Sequence, residues 1–413
     1  MSKEVNYIFF KNFISLIFNQ GINILIALLV TPILFQNLGS INYGLIELAF
    51  SIFMLLSILI SYGYHLNGPR RISSIDNIYN EFSFINEIIS LRLFIAFVIT
   101  FLIIIISYKT NFFENYSLII IFSLPILISE AINPLFYLQG KNQLHILSKI
   151  NALSKVAYLI LIFLFIKSYS DAFMVNFFYG SAIFFVYLFF WLTLFLKNKS
   201  KFIISNSYRL IKKLKDNFEF FLSSVAGHIS LYSGLILLKF FVDNKELGKF
   251  ALSNRIVFLL RMIPVFIVQS TLQNATLVMK KNKDDLNNHL NYYYFRGLGL
   301  TLIISLVFSL FSNSIIFLFS GEHIVYSSQI LSILSFLPFL AMLNVKNLLI
   351  ILTYEKKIIL NKATWYSAIF TIISSSILSY YYKGFGLAYA LLISEFTSFI
   401  IHSTLLSFEK KNN

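Results

Sequence analysis

The chain has no cysteine in its 413 residues, so neither a disulfide nor a thiolate metal site is available. Charge is scarce as well: 12% of residues are charged, 58% are hydrophobic, and mean hydropathy is +0.77. That balance excludes a water-soluble domain and is typical of a polytopic helical membrane protein. The six histidines are scattered and offer no ligand cluster, so no metal or cofactor is expected. No paired-carboxylate motif, Gly-x-Ser-x-Gly elbow or Walker loop appears, which argues against an enzyme and against ATP as the energy source. Acidic residues are the rarer sign, 18 against 33 basic, for a net charge of +15. Such a charge can indicate nucleic acid, but its distribution points to membrane topology and to no nucleic-acid partner.

The apolar runs define twelve spans, near 12–37, 42–65, 86–108, 116–139, 148–167, 173–196, 217–241, 248–278, 294–318, 327–352, 358–381 and 385–408. Met1 to Lys11 is too polar and irregular for a signal peptide, so the first run reads as an uncleaved span. Links after the odd-numbered spans are short and hold only Lys109, Lys167, Lys245, Lys249 and Lys383. The opposite links carry Arg70, Arg71 and Lys141, a central basic stretch from Lys197 to Lys215, then Lys280, Lys281, Lys283, Lys356, Lys357, Lys410 and Lys411. The excess of Lys and Arg on that side places both termini in the cytoplasm. The stretch 200–216 mixes basic residues with Phe202, Ile203, Ile204, Leu210, Ile211 and Leu214, which suits an interfacial helix. It is expected to separate an N-terminal six-helix lobe, 1–199, from a C-terminal one, 217–413.

The halves resemble one another. Asn12-Phe13 opens span one and Asn217-Phe218 opens span seven. Arg92 follows Gly44 by 48 residues, and Arg296 follows Gly248 by the same 48. Lys149 and Ser154 are echoed by Lys362 and Ser367. A parallel repeat of six spans is transporter architecture, with a substrate site expected in a central cavity between the lobes. The expected fold is therefore all-α, with about twelve transmembrane helices in two pseudo-symmetric six-helix bundles.

Polar groups inside spans are costly and mark sites by default. Ser15, Asn19 and Asn23 recur every four residues in span one, beside Gln20, so a helix puts them on one stripe. That stripe either lines a lumen or glues packed helices. The intramembrane cations are Arg92, Lys155, Lys239, Arg255, Arg261 and Lys346, with Arg296 near the surface. Arg261 stands near the midplane of span eight, just before Pro264, with Asn254 on nearly the same face and Gln269 and Gln273 continuing a polar side. Arg92 and Arg296 lie close enough to the cytoplasmic surface to snorkel or to face a cavity. The anions Glu47, Glu130 and Glu395 read as ion-coupling sites or as partners of the cations, with pairing favoured. His228 reads as a titrating group or as a packing histidine, with packing favoured. Surplus cations in the spans suit an anionic head group, and arginine suits a diphosphate best.

Three segments carry a family resemblance. Thr31 to Phe53, TPILFQNLGSINYGLIELAFSIF, with Tyr62-Gly63 beyond it, resembles the first hairpin of O-antigen flippases of the Wzx type. Asn133 to Lys141, NPLFYLQGK, resembles that family's proline-aromatic-Gln-Gly segment ending span four, and Lys383 to Glu395, KGFGLAYALLISE, its Gly-x-x-Gly-x-Ala stretch. The likeness covers nearly the whole chain and points to the polysaccharide-transport branch of the multidrug/oligosaccharidyl-lipid/polysaccharide superfamily. It implies two six-helix bundles around a cationic cavity in a bacterial inner membrane. It also implies translocation of an undecaprenyl-diphosphate-linked oligosaccharide to the periplasmic leaflet by alternating access, with polymerase and chain-length proteins as pathway partners. On that reading Arg92 and Arg296 meet the diphosphate at the mouth, and Arg261, Arg255, Lys346 and Lys155 meet it in the lumen. Many relatives carry an acidic residue in span seven, where this chain has Leu231-Tyr232-Ser233-Gly234, so ion coupling there is not implied. Other cargo on the same fold, a membrane O-antigen polymerase or acyltransferase, and a scaffold of a glycan-assembly complex are the alternatives. A polymerase should show a large outer loop, and none is visible.

Overall fold

The computed structural model describes the backbone of residues 3–109, 113, 116–281 and 283–412, and the side chains of 21, 22, 24–109, 113, 116–269, 271, 272 and 286–409. Every regular element among them is helical. Among the described residues, ten helical stretches are long and apolar enough to cross a membrane. Two of the ten, Ile24–Ser73 and Lys357–Glu409, are 50 and 53 residues long and each contains a sharp break, at Gly39 and at Lys383. Each therefore supplies two passes, in keeping with the twelve spans expected. In hydrocarbon only the helix satisfies its own backbone along such lengths, which is why strands are absent from the described residues.

The chain divides into two units, one of Met1–Leu38 with Leu45–His228, the other of Gly39–Gly44 with Ile229–Asn413. The first unit contains α1 (Lys3–Ser61, as far as Leu38 and again from Leu45), α2 (Tyr64–Ser73) and α3 (Ile78–Lys109). Then come α4 (Ser117–Phe122), α5 (Pro125–Ala131), α6 (Leu135–Gly140), α7 (Leu144–Phe165), α8 (Met174–Lys197) and the first part of α9 (Ser207–Leu238). The second unit continues with α10 (Asn244–Leu260), α11 (Met262–Lys281), α12 (Lys283–Leu310), α13 (Ser312–Ser320), α14 (Val325–Leu334), α15 (Leu337–Leu343), α16 (Val345–Thr353) and α17 (Lys357–Asn412).

Several helices overrun the apolar runs that announce them. Helix α3 starts at Ile78 and α9 at Ser207, well before the first apolar residues of spans three and seven. Hydropathy marks where side chains are greasy; once a helix is nucleated, its backbone ladder can propagate past them into water, one hydrogen bond per added residue. The stretch 200–216 is consequently not a free interfacial helix. Residues 201–206 run without helix, with Asn86 Nδ2 donating to the Lys201 carbonyl at 3.2 Å and the Ser205 N–H donating to Ser90 Oγ at 3.1 Å. Helix α9 then brings Lys213 and Arg209 to Glu87 of α3, at 2.9 and 3.6 Å. The Lys213 ammonium also sits 4.6 Å from the centre of the Phe84 ring. Basic residues of the linker thus spend part of their charge inside the first unit.

Glycine decides the closest approach in the second unit. A Cβ on Gly44 would lie 2.6 Å from Gly248 Cα, and a Cβ on Gly248 would run into the Ser40 carbonyl. The two glycines that open spans two and eight in the repeat therefore pack on each other. Other repeat partners match less evenly. Ser154 and Ser367 are both buried and Lys149 and Lys362 both exposed, but Arg92 is buried and Arg296 exposed.

Gly248→Ala must move backbone, which costs at least the ~1–3 kcal/mol of ordinary overpacking, whereas nothing stands within 4 Å of a Cβ on Gly299. In detergent, Gly248→Ala is expected to lower the melting temperature and the monodisperse yield. Gly299→Ala, inside α12, is expected to leave them unchanged or raise them, because alanine is the better helix former by about 0.5–1 kcal/mol.

Candidate functional site

The charges inside the spans are the candidate site, and the structure gives most of them partners. Arg92 is only 2% exposed, among the most buried large side chains of the molecule. Two helix breaks explain how a guanidinium survives there. Helix α1 ends at Ser61, where Tyr62 and Gly63 take positive φ, and the Ser61 carbonyl accepts from Arg92 Nη2 at 3.5 Å. Helix α5 ends at Ala131 because Pro134 cannot continue the ladder. The carbonyls left over are taken by Trp191 Nε1, which donates to Ile132 at 2.7 Å, and by Arg92 Nη1, which donates to Asn133 at 3.2 Å. A cation at two helix C-termini meets the negative end of each dipole. The guanidinium also lies 5.0 Å from the Phe136 ring centre, and Glu130 is within coulombic range. Glu130 is in turn fixed by Asn133 Nδ2, which donates at 3.0 Å. Arg92 is therefore enclosed: the two breaks draw its two terminal nitrogens to backbone carbonyls, while its Nε is buried without a hydrogen-bond partner among the described residues.

The motifs around it interlock. A Cβ on Gly68 would lie 2.8 Å from Phe136, and one on Gly140 would lie 2.7 Å from Ile72. The end of the first hairpin and the end of span four are thereby pressed together beside Arg92. His65, which sequence reasoning passed over, sits in the same region. Its Nδ1 is 3.1 Å from Ser61 Oγ and its Nε2 3.5 Å from Ser224 Oγ. His228 donates from Nδ1 to the Ser224 carbonyl at 3.2 Å. The only sequence signal for His65 is its place between Tyr62-Gly63 and Pro69-Arg70-Arg71. Lys155, also in the first unit, has its ammonium 3.8 Å from the centre of the Tyr179 ring, a cation–π contact in place of an anion. Glu47 is half-buried in α1.

In the second unit Arg261 is the residue between α10 and α11, at the helix break that precedes Pro264. Its Nη2 donates to Glu395 Oε1 of α17, and the two side chains are 20% and 19% exposed. The expected pairing of Glu395 is thus an ion pair across a helix break. Asn254 and Arg255 are half-buried on α10, and Gln269 is exposed on α11. Lys346 of α16 donates to Asn291 Oδ1 of α12 at 2.7 Å. Arg296 is exposed and lies over the ring of Tyr292, one turn earlier, at 3.7 Å. Lys239 donates to Asn244 Oδ1 at the end of α9. The side chains of Ser15, Asn19, Gln20, Asn23 and Gln273 lie outside the described residues.

A description of the polysaccharide biosynthesis protein family matches residues 9–272. The chain belongs to that family. It is 26% identical over 412 residues to a candidate O-antigen transporter of Escherichia coli (strain K12), covering 97% of each chain. It is 23% identical over 399 residues to a candidate O-antigen transporter of Shigella dysenteriae, covering 93% of this chain and 96% of that protein. Among solved structures, an inward-facing multidrug resistance MATE family transporter of the MOP superfamily superposes with a TM-score of 0.75 at 16% identity, covering 94% of this chain and 96% of the other. The lipid II flippase MurJ in its inward closed conformation superposes with a TM-score of 0.73 at 16% identity, covering 96% and 87%. The fold is that of these transporter structures, and the chain is a multi-pass membrane protein of the polysaccharide biosynthesis protein family.

Removing one partner of a buried pair leaves the other charge uncompensated. Glu395→Gln is expected to cost about 3 kcal/mol, the low end for buried pairs because part of each side chain is open. The charge-free pair Arg261→Met with Glu395→Met is expected to recover most of it. Thermal melts of the three proteins in one detergent check this, and a double variant no better than Glu395→Gln would contradict it. Arg92→Lys keeps the charge but loses the planar fork that reaches two carbonyls and stacks on Phe136. It is expected to lower the folded yield nearly as far as Arg92→Met.

Proposed function

We propose that this protein is a flippase for a lipid-linked oligosaccharide, an O-antigen repeat unit or a similar glycan on undecaprenyl diphosphate. It would carry its cargo from the cytoplasmic to the periplasmic leaflet of a bacterial inner membrane by alternating access, with both termini cytoplasmic. The full-length likeness to candidate O-antigen transporters and the fold shared with a lipid II flippase support this reading. The observation that carries it is Arg261, a cation at a helix break whose partner Glu395 belongs to another helix. A guanidinium binds a carboxylate and a phosphate with the same fork geometry. In this reading the diphosphate takes Arg261 from Glu395, with Arg255 and Lys346 adding charge in the same unit and Arg296 acting nearer the surface. Exchange of partner gives the substrate a differential interaction with two states, which any ligand-driven transition requires. Arg92 acts as a scaffold of the first unit, together with Glu130. Lys155, held on Tyr179, and Glu47 stay secondary, and His228 serves packing. The polymerase and chain-length proteins of the pathway would act on the product.

The test uses a strain lacking the gene, complemented in turn by wild type, Arg261→Lys, and the Arg261→Met/Glu395→Met pair at matched membrane levels. Wild type restores surface polysaccharide. The paired variant is expected to fold, yet to leave undecaprenyl-linked units accumulating on the cytoplasmic side. Arg261→Lys is expected to fall at least about tenfold in surface polymer, since a point charge replaces a bidentate fork. Full polymer from the paired variant would remove Arg261 from substrate handling. An unchanged glycan in the deletion strain, with altered drug tolerance, would favour a small-molecule exporter on the same fold.

A further inference from the structure

The second unit carries a cleft of about 440 Å³ made where three tips meet. The start of α10 supplies Lys245 and Lys249, the start of α14 supplies Tyr326, and the break in α17 supplies Tyr381, Tyr382 and Lys383. The volume falls in the ~300–1,000 Å³ range of small-ligand sites. Both carboxylates in the cleft are already engaged. Asp243 caps α10, accepting from the Glu246 N–H at 2.6 Å. Glu246 Oε1 accepts from the Tyr326 hydroxyl at 2.7 Å and from the Gly384 N–H at 3.4 Å. Lys245, Lys249 and Lys383 have no ion-pair partner among the described residues. The cleft therefore offers three uncommitted ammonium groups beside tyrosine rings, of which Tyr381 and Tyr382 are 70% and 65% exposed.

The backbone singles out Lys383. It has φ 53 and ψ −131, a conformation that L side chains rarely adopt and that costs on the order of 1–3 kcal/mol. Glycine would relieve it, and glycines stand at 384 and 386, but the strained position itself carries a lysine. The turn is pinned from beyond: a Cβ on Gly384 would strike the Tyr326 hydroxyl, and the Gly384 N–H is held by Glu246. A second cleft of about 550 Å³ shares Phe385 with the first and is neutral, lined by Asn313, Gln329 and serines.

We propose that these adjoining clefts are saccharide subsites: the first takes a pyranose ring bearing a carboxylate, and the second the neighbouring neutral ring. The apolar C–H face of the ring lies on tyrosine, its carboxylate meets the lysines, and the amides across Phe385 take hydroxyls. The proposal rests on the reading of the chain as a glycan carrier and places recognition of the glycan where α10, α14 and the break of α17 meet.

The test is binding of D-glucuronic acid, with D-glucose and inorganic phosphate as comparisons, to the full chain in nanodiscs, read by saturation-transfer difference NMR. Glucuronic acid is expected to bind saturably and at least about tenfold more tightly than glucose, with an affinity that falls as salt rises. Lys383→Gly is expected to raise the melting temperature, because strain is relieved, while weakening glucuronate about tenfold. Tyr382→Ala is expected to weaken both sugars. No saturable signal, equal binding of the two sugars, or a Lys383→Gly protein that binds glucuronate as wild type does would each overturn the proposal; the first would leave the tyrosines as an interfacial aromatic belt. Phosphate competing as well as glucuronate would reduce the cleft to a simple anion site and overturn it too. The assay involves no transport. A glucuronate site in a protein whose deletion leaves surface glycan unchanged sinks the flippase reading alone, and a missing site with lost glycan sinks the subsite alone.

Discussion

The first unit depends on one guanidinium kept away from water. Arg92 joins the broken end of α1 to the broken end of α5, where each break exposes carbonyls that lipid cannot satisfy. Without a cation there, Ser61 and Asn133 would each bury an acceptor, and Glu130 would be a carboxylate with no counter-charge. The hydrophobic packing follows from the same point. Tyr64, Phe136 and Trp191 belong to one core cluster, and the Phe136 ring both stacks on the guanidinium and fills the space that Gly68 leaves. A motif that reads as proline, aromatics and glycine is therefore a helix break, its hydrogen-bond repair and the clearance it needs.

The same logic recurs in the second unit with a different outcome. Arg261 also stands at a break between helices, but among the described residues its partner is a single carboxylate on α17, and a fifth of each side chain remains open. Arg92 is locked by the Ser61 and Asn133 carbonyls, the Phe136 ring and the charge of Glu130. An arginine held by one exchangeable anion can give it up to another; an arginine held by backbone carbonyls, rings and a carboxylate cannot do so without unfolding what surrounds it. This difference in commitment, more than depth in the membrane, is what gives Arg261 the substrate-handling role and Arg92 the structural one in the proposed function.

Much of this architecture was legible in the sequence, and the limit of legibility has a physical reason. Apolar runs and basic links report the bilayer's demands residue by residue, so the passes and their order could be read directly. The pairing of Glu395 with a cation was an expectation of charge scarcity. Whether Arg92 would snorkel or be enclosed was not readable, because enclosure depends on carbonyls freed at Ser61 and Asn133, which lie far apart in the chain. Arg92 and Arg296 hold the same register in the repeat and have opposite environments: Arg92 is drawn to two helix ends, whereas Arg296 is exposed and lies over Tyr292 of its own helix. The stretch 200–216 reads as an interfacial helix, and residues 207–216 do begin α9; that 201–206 instead run without helix against Asn86 and Ser90, and that Lys213 and Arg209 reach Glu87, is not legible in composition.

The conformational breaks suggest how a bundle of long helices retains two arrangements. A continuous helix transmits displacement along its axis, whereas a break confines the change to a few dihedrals. In the second unit the breaks fall beside charged groups: Arg261 between α10 and α11, and Lys383 within α17, twelve residues before Glu395. The helix that carries the carboxylate partner of Arg261 thus begins at the strained turn held by Glu246 and Tyr326. A ligand that changes the contacts at either point acts on the same segment of backbone. For the proposed cargo, with an anionic head and a saccharide body, such a segment couples its two parts, because both must favour the same state if either is to drive the transition.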